Sequence, residues 1–256
     1  MTDSAINPRF AGVVRLLGRD GYARIERAHV CVVGLGGVGS WVVESLARTG
    51  VGALTLVDMD EVCISNINRQ LHALGPTVGQ SKAVALAERI RQINPDCQVD
   101  IKPVFFKKTT ADEILSVPYD FVVDAIDGVA HKARLIGMCK VRGIPIIASG
   151  AAGGKRDATR IGVADLSETI YDPLLAFIRK RLRKWFDFPR GNKPFGIPCV
   201  FSPEPVRDAV GDTCGTKAPG VRANCDTGLG AIAHVTGTFG LIMAGYVINA
   251  IAIGER

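Results

Sequence analysis

Residues 29–40 read HVCVVGLGGVGS, an apolar run that ends in a glycine-rich turn. Three of the glycines, Gly34, Gly36 and Gly39, have the spacing G-x-G-x-x-G between a predicted strand and a predicted helix. Glycines in this arrangement allow a tight turn and a close approach of the backbone to a ligand, and the free N–H groups at the start of the helix favour phosphate. The segment therefore predicts a phosphate-binding turn, to which Gly37 adds a further N–H group.

The sequence that follows, up to Gly150, alternates between short apolar strands and helices. Strands are predicted at 29–33, 53–58, 97–102, 120–125 and 144–149, and helices at 38–49, 80–93, 109–116 and 129–142. Strands that are apolar along their whole length are typical of a parallel sheet covered on both faces. We predict an α/β fold: a Rossmann-like doubly wound, mainly parallel sheet with helices on both faces and a C-terminal elaboration.

We expect residues 1–256 to form one domain with three parts. Residues 1–28 are predicted as an N-terminal helical arm, with one or two amphipathic helical turns that stop at Gly18, and residues 29–150 as the nucleotide-binding half. Residues 151–256 are expected to bind substrate and a second subunit. This half contains predicted strands at 159–166 and 198–202, a basic helix at 172–186 and a Gly- and Pro-rich crossover loop at 203–226.

The composition favours a protein of the cytoplasm. The first residues, MTDSAINPRF, lack the apolar core of a signal peptide, and the seven cysteines include no Cys-x-x-Cys pair, so we expect reduced thiols and no zinc. Residues 228–254 contain no Asp, Glu, Lys or Arg and are long enough to cross a bilayer. Their polar residues and glycines favour a buried core helix over a membrane span, so no stable membrane association is expected.

The net charge of +6 is concentrated in residues 177–196. The only acid there is Asp187, and the seven basic residues are Arg179, Lys180, Arg181, Arg183, Lys184, Arg190 and Lys193. One interpretation is that these residues bind RNA phosphates while the aromatic residues Phe177, Trp185 and Phe186 stack on unpaired bases. The other is a solvated helix face, with Leu182 and Trp185 packing inward.

Polar residues follow the second and fourth predicted strands. Asp58 ends the second strand, where an acid commonly binds a ribose, and Arg69 and Lys82 come after it. Asp124 and Asp127 stand at the end of the fourth strand. The carboxyl ends of parallel strands share one edge of the sheet, so we expect these groups to converge there. A triphosphate carries about twice the negative charge of the pyrophosphate in a dinucleotide, so it needs additional cations and a metal ion. Two cations and possible carboxylate ligands at one edge therefore favour ATP with Mg²⁺ over NAD.

Four blocks of the sequence resemble a known family. Residues 34–40, 58–70, 79–95 and 122–128 are similar to the adenylating family that includes ubiquitin-activating enzymes and bacterial activators of sulfur-carrier proteins. The resemblance implies ATP as a substrate and Mg²⁺ as its metal ion.

The same resemblance implies roles for individual residues. Asp58 would bind the ribose, Asn66, Arg69 and Lys82 the phosphates, and Asp127 the Mg²⁺ or phosphate. Asp60 either joins this set or is a solvated turn residue. Arg15 would reach into the ATP site of a partner subunit, which implies a homodimer. The catalytic residues implied in this way are Arg15, Arg69, Lys82 and Asp127.

A narrower resemblance runs nearly from end to end. Residues 72–83, 151–174, 198–204 and 224–240 are similar to the tRNA threonylcarbamoyladenosine dehydratases. This implies that the carboxylate of threonylcarbamoyl-adenosine at position 37 of tRNA is adenylated by ATP and then closes a ring, with release of AMP and pyrophosphate. The alternatives are an activator of a ubiquitin-like sulfur-carrier protein, an NAD-dependent oxidoreductase, and a membrane-attached binding module.

Other features of the family remain open in the sequence. Cys225 precedes a glycine-rich helix start, so it is either a reactive thiol or a structural thiol that caps the final helix. The resemblance also leaves room for a monovalent cation and for a sulfur-acceptor partner linked to a cysteine desulfurase. The expected partners are therefore a modified tRNA, a second copy of this chain and, conditionally, that acceptor.

Overall fold

The computed structural model describes residues 7–191, 193–206 and 229–254. These residues form seven strands: β1 His29–Val33, β2 Ala53–Val57, β3 Gln98–Lys102, β4 Phe121–Asp124, β5 Ile146–Ser149, β6 Gly162–Asp165 and β7 Pro198–Phe201. They form seven α-helices: α1 Ala11–Arg27, α2 Gly39–Thr49, α3 Lys82–Ile93, α4 Ala111–Ile114, α5 Val129–Arg142, α6 Pro173–Trp185 and α7 Ala233–Ile253. Every strand predicted from the sequence is present, shortened in most cases by one or two residues.

The seven strands form one sheet in the order β3-β2-β1-β4-β5-β7-β6. All neighbours are parallel except β6 and β7, which are antiparallel. From β1 the chain builds outward through β2 and β3 on one side and through β4 and β5 on the other, which confirms the predicted doubly wound fold. The order reverses between β1 and β4, so the crevice at their carboxyl ends is the place where this topology binds ligands.

Two hydrophobic cores cover the two faces of the sheet. Alternate residues of a strand point to opposite faces, and in β1 Val30 and Val32 pack into one core while Cys31 and Val33 pack into the other. The first core includes buried residues of α2, α3 and α7, and the second includes buried residues of α4, α5 and α6. Helices therefore cover both faces, as the continuous apolar strands predicted.

The last helix, α7, is a core element of the domain. By length and composition it is the one described helix that could cross a membrane, a criterion that buried core helices also meet. Phe239 and Met243 of α7 are fully buried in the first core. A Cβ on Gly240 would lie 2.6 Å from the carbonyl oxygen of Val38, so the glycine permits close packing of α7 on α2. The structure supports the prediction of a buried core helix.

The helix of the N-terminal arm is longer than predicted. Gly18 interrupts α1 with φ of 75°, but the helix resumes and continues to Arg27 instead of ending after one or two turns. The second half persists because Tyr22 and Ile25 are buried against the domain, which a short window of sequence did not reveal. The first half leaves Arg15 exposed, and Leu16 beside it is 84% exposed.

Candidate active site

The glycine-rich turn connects β1 to α2 at the crevice between β1 and β4. Gly34 has φ of 90°, and a Cβ there would lie 2.7 Å from the carbonyl oxygen of Ala125, which follows β4. A Cβ on Gly39 would lie 1.8 Å from the carbonyl oxygen of Gly34. Any larger residue at either position would force the turn open. A Cβ on Gly36 or Gly37 would lie no closer than 3.2 Å to a neighbour, and both residues are partly exposed.

Asp58 links the glycine-rich turn to the segment that follows β2. It follows β2, is 8% exposed, and accepts hydrogen bonds from Leu35 N at 2.7 Å and from Asp60 N at 2.8 Å. Burial raises the pKa of its carboxyl above the ordinary value, and the positive charge of Lys82 opposes that rise. Each carboxylate oxygen has a further lone pair, so the group can also accept from the hydroxyls of a ribose.

Lys82 brings a positive charge to this site from the start of α3. Its Nζ lies 3.0 Å from Asp60 Oδ2, and its backbone N–H donates to Asp60 O at 3.0 Å. The lysine side chain is 9% exposed, whereas that of Asp60 is 46% exposed. The structure therefore assigns Asp60 a definite contact, as the ion-pair partner of Lys82. An ammonium has three donors, so Lys82 can also bind phosphate.

Arg69 belongs to a turn that is tied to two helices. Its carbonyl oxygen accepts from Trp41 Nε1 on α2 and from Thr236 Oγ1 on α7, each at 3.2 Å. Arg69 is partly exposed, and its guanidinium donates to Ser65 O at 2.7 Å and to Asn68 Oδ1 at 2.8 Å. Asn66 is buried and caps the same turn, accepting from the backbone N–H of Cys63 at 3.1 Å. The backbone is thus anchored, and the guanidinium has further N–H donors beyond these two bonds that can bind a ligand.

The two acids after β4 have different environments, which corrects part of the sequence analysis. Asp124 is fully buried, and its Oδ2 lies 3.0 Å from Lys132 Nζ, so it is unavailable to a metal ion. Burial raises the pKa of Asp124 to about 6, against the opposing charge of Lys132. Asp127 is exposed just before α5. The described residues contain no cluster of three His, Cys, Asp or Glu, but Mg²⁺ bound with nucleotide phosphates commonly uses one or two carboxylates.

Sequence reasoning assigned no role at the site to two buried polar residues, Gln70 and His72. Among the described residues, Gln70 Oε1 and both ring nitrogens of His72 have no hydrogen-bond partner. A Cβ on Gly36 would lie 3.8 Å from Gln70 Nε2, which places this amide beside the glycine-rich turn. Burial lowers the pKa of His72 to about 4, and the charge of Lys82 adds to the effect. The only sequence signal was their position directly after Arg69.

The basic segment combines a buried face with exposed cations. Ile178 and Leu182 of α6 are fully buried, and four of the seven cations are exposed: Lys180, Lys184, Arg190 and Lys193. Arg179 instead donates to Thr169 Oγ1 at 2.5 Å, and Arg183 to Pro189 O at 3.0 Å. These two arginines are therefore partly committed to the fold.

The aromatic residues of this segment also differ from one another. Trp185 is 42% exposed rather than packed inward, with Arg181 at 5.0 Å and Arg134 at 5.7 Å from its ring centre. Phe177 is 55% exposed, whereas Phe186 packs against Gly137. Arg134, on α5, thus extends the basic surface in a way that the sequence did not predict.

The thiol prediction for Cys225 falls outside the described residues, because this cysteine lies in 207–228. Among the cysteines that the structure describes, Cys31, Cys97, Cys139 and Cys199 are buried free thiols. Burial raises the pKa of Cys31 to about 12 and that of Cys97 to about 11. The described buried thiols are therefore poor nucleophiles.

Comparison with known proteins identifies the family of this chain. Residues 10–255 match the ThiF family. The chain belongs to the ThiF family. Among ThiF-type relatives, the tRNA threonylcarbamoyladenosine dehydratase of Haemophilus influenzae is 47% identical over 243 residues, covering 94% of this chain and 92% of that protein. The protein of the same name from Bacillus subtilis is 39% identical over 91% of this chain and 90% of its own length.

Solved ThiF-type structures have the same architecture. The crystal structure of Escherichia coli tRNA N6-threonylcarbamoyladenosine dehydratase in complex with ATP has a TM-score of 0.86 at 43% identity, covering 96% of this chain and 94% of that one. The AMP complex of the same protein has a TM-score of 0.88 at 44% identity and the same coverage. By contrast, the Thermus thermophilus sulfur carrier protein adenylyltransferase is 37% identical over 51% of this chain and 48% of its own length.

The low pKa of His72 predicts a pH-dependent loss of stability. The unfolded histidine binds a proton near pH 6.5, whereas the folded one does so only near pH 4, so its contribution is full above pH 6.5 and disappears as the pH falls to 4. The contribution is at most about 3 kcal/mol. His72→Gln should flatten the fall of Tm between pH 6.5 and 4 while leaving the slope between pH 7 and 8 unchanged. Identical slopes in both variants below pH 6.5 would contradict the prediction.

Proposed function

We propose that this chain is an ATP-dependent tRNA-modifying enzyme that dehydrates threonylcarbamoyl-adenosine in tRNA to its cyclic form. The observation that carries the proposal is similarity to the dehydratases over more than 90% of this chain and about 90% of theirs, compared with about half for the sulfur-carrier enzyme. The site geometry supports it, because a phosphate-binding turn, a ribose-type acid and two cations lie together at the switch point. The sulfur-carrier alternative is not favoured.

The first step is adenylation of a carboxylate. A carboxylate oxygen of the substrate attacks the α-phosphorus of ATP, a new P–O bond forms, and the bond to the bridging oxygen breaks to release pyrophosphate. The barrier arises largely from repulsion between the carboxylate and the polyphosphate. Lys82, Arg69 and the N–H groups of residues 36–39 provide positive charge where negative charge develops, and such preorganised groups are typically worth about 3–4 kcal/mol each.

The second step is an intramolecular ring closure. An atom of the same threonylcarbamoyl group attacks the activated carbonyl, the acyl C–O bond to AMP breaks, and the nucleophile loses a proton. The net result is loss of one water, with its oxygen transferred to AMP. Holding both groups in one molecule lowers the barrier by up to about 7–11 kcal/mol, so no enzyme nucleophile is required. Cys225 therefore has no assigned part in the proposal.

Mg²⁺ fits this site through Asp127. The residue is exposed at the carboxyl edge of the sheet, and its carboxylate is a suitable oxygen ligand. When bound, Mg²⁺ would neutralise charge on the nucleotide phosphates.

We place the reaction in the cytoplasm, because ATP and tRNA are found there. The sulfur-acceptor partner and the monovalent cation stay predictions from the family resemblance.

Removal of the Lys82 charge should impair adenylation. We expect Lys82→Met to lower the rate of ATP–pyrophosphate exchange in the presence of modified tRNA about 100- to 1,000-fold. The exposed Lys108→Met is the control and should retain the wild-type rate. An unchanged rate in Lys82→Met, or absence of exchange in the wild-type protein with Mg²⁺ and modified tRNA, would refute the proposed adenylation.

The exposed cations after Phe177 are proposed to bind tRNA phosphates. Lys180, Lys184 and Arg190 are exposed, so reversing their charges should spare the fold better than reversing Arg179. The triple variant Lys180→Glu, Lys184→Glu, Arg190→Glu should lower tRNA affinity. The slope of log affinity against log salt concentration should become shallower by about one for each phosphate that the variant no longer binds. ATP affinity should be unchanged.

A control separates this surface from net charge. The variant Arg91→Glu, Lys107→Glu, Lys108→Glu changes the net charge equally, and all three residues are exposed outside 177–196. It should retain most of the tRNA affinity. Equal reductions of affinity in the two triple variants would show that total charge, and not the basic segment, determines binding.

The chain is also proposed to act as a homodimer in which Arg15 completes the partner's ATP site. Exposure of Arg15 and of the apolar Leu16 on the arm supports this arrangement. Arg15→Ala and Lys82→Met should each be inactive alone. Because a two-fold dimer has two equivalent sites, mixed dimers contain one site with both residues, and re-associated equal mixtures should regain about a quarter of the wild-type activity. No recovery in verified mixed dimers would contradict the role of Arg15.

A further inference from the structure

A buried ion pair lies beneath the turn that leads from β4 into α5. Lys132, in the first turn of α5, has its Nζ 3.0 Å from Asp124 Oδ2, and both side chains are completely buried. Removing two charges from water is costly, and apolar residues of similar volume often stabilise a fold at least as well. The pair therefore calls for an explanation beyond general stability.

The other contacts of the pair are to the ends of β4 and β5 and to the turn that follows β4. Lys132 Nζ donates to the carbonyl oxygens of Asp124 at 3.2 Å and Ile126 at 3.0 Å. The second carboxylate oxygen of Asp124 accepts from the backbone N–H of Ile126 at 3.1 Å. Lys132 Nζ also lies 3.3 Å from Ser149 Oγ at the end of β5. Both charges thus hold the backbone of residues 124–126, directly before Asp127.

This turn also contacts the phosphate-binding loop. The carbonyl oxygen of Ala125 would be 2.7 Å from a Cβ on Gly34. Asp127 lies two residues after Ala125 and is exposed. It therefore belongs to a segment whose backbone bonds to Lys132 and packs against Gly34.

We propose that Lys132 and Asp124 are positioning residues that fix the 124–126 turn and so orient the Asp127 carboxylate toward a Mg²⁺–nucleotide ligand. The inference rests on the proposed metal role of Asp127. It predicts that the pair acts on nucleotide affinity only when Mg²⁺ is present and only through Asp127. Partners that orient metal ligands typically contribute about 10- to 100-fold to metal affinity.

The test removes both charges together, because Lys132→Met alone would leave Asp124 buried and unpaired. In Asp124→Asn/Lys132→Met, ATP affinity in EDTA, measured by calorimetric titration, should stay within about twofold of wild type, and the gain in affinity from Mg²⁺ should fall about 10-fold or more. The Glu44→Gln/Arg89→Met variant is a control, since it removes the ion pair between α2 and α3 together with the pair of Glu44 and Arg48. This control should keep the wild-type gain in ATP affinity from Mg²⁺, even if its Tm falls as much as that of Asp124→Asn/Lys132→Met.

The Asp127→Asn background decides whether the pair acts through Asp127. We expect Asp127→Asn to lose the Mg²⁺ gain, and the triple variant with Asp124→Asn/Lys132→Met to lose no more. A further loss in the triple variant as large as in the wild-type background would overturn the inference and leave the proposed function intact. If Asp127→Asn does not reduce the gain in ATP affinity from Mg²⁺, both the inference and the metal role of Asp127 are overturned. Failure of tRNA cyclisation alone would affect only the proposed function.

Discussion

The close packing of two loops at the centre of the sheet is the constraint on which the rest of the site depends. Gly34, after β1, approaches the carbonyl oxygen of Ala125, after β4, so closely that even a methyl group would not fit. β1 and β4 are adjacent parallel strands at the point where the strand order reverses. The glycine thus brings the phosphate-binding turn and the turn before Asp127 into one crevice. The remaining groups at this edge are arranged around that contact.

The charges at the edge are organised by burial. Lys82 is buried and paired with the more exposed Asp60, so its ammonium keeps a partner while no ligand is bound. The Lys132–Asp124 pair lies deeper and bonds to the backbone of the turn that precedes Asp127. Charges proposed to bind ligands and charges that hold the backbone are therefore separated by depth, since buried charges need fixed partners.

Most of the fold, but only part of the site, could be predicted from the sequence. The apolar strands and the glycine spacing indicated the doubly wound sheet, because these are local patterns tied to the carboxyl ends of strands. The strand pattern alone did not separate Asp124 from Asp127, and only the family resemblance pointed to Asp127, since the difference depends on the buried Lys132 of the next helix. Arg134 was missed in the basic surface for the same reason, because its place beside Trp185 results from the packing of α5 on α6.

The two polyanions that the proposed reaction brings together explain why cations occur on this chain in two forms. ATP needs few charges at fixed positions, and Lys82 and the anchored backbone of Arg69 meet that need in a confined crevice. A tRNA presents phosphates over a wide surface, and Lys180, Lys184 and Arg190 are exposed in a way that suits mobile, salt-dependent contacts. β5 connects the two regions. Ser149, at its end, contacts Lys132. The backbone N–H of Ala151, just beyond it, donates to Asp172, the residue that caps the basic helix α6. The start of the basic helix and the proposed nucleotide crevice are therefore both attached to the carboxyl end of β5, which suits a reaction that must hold an RNA-bound carboxylate close to ATP.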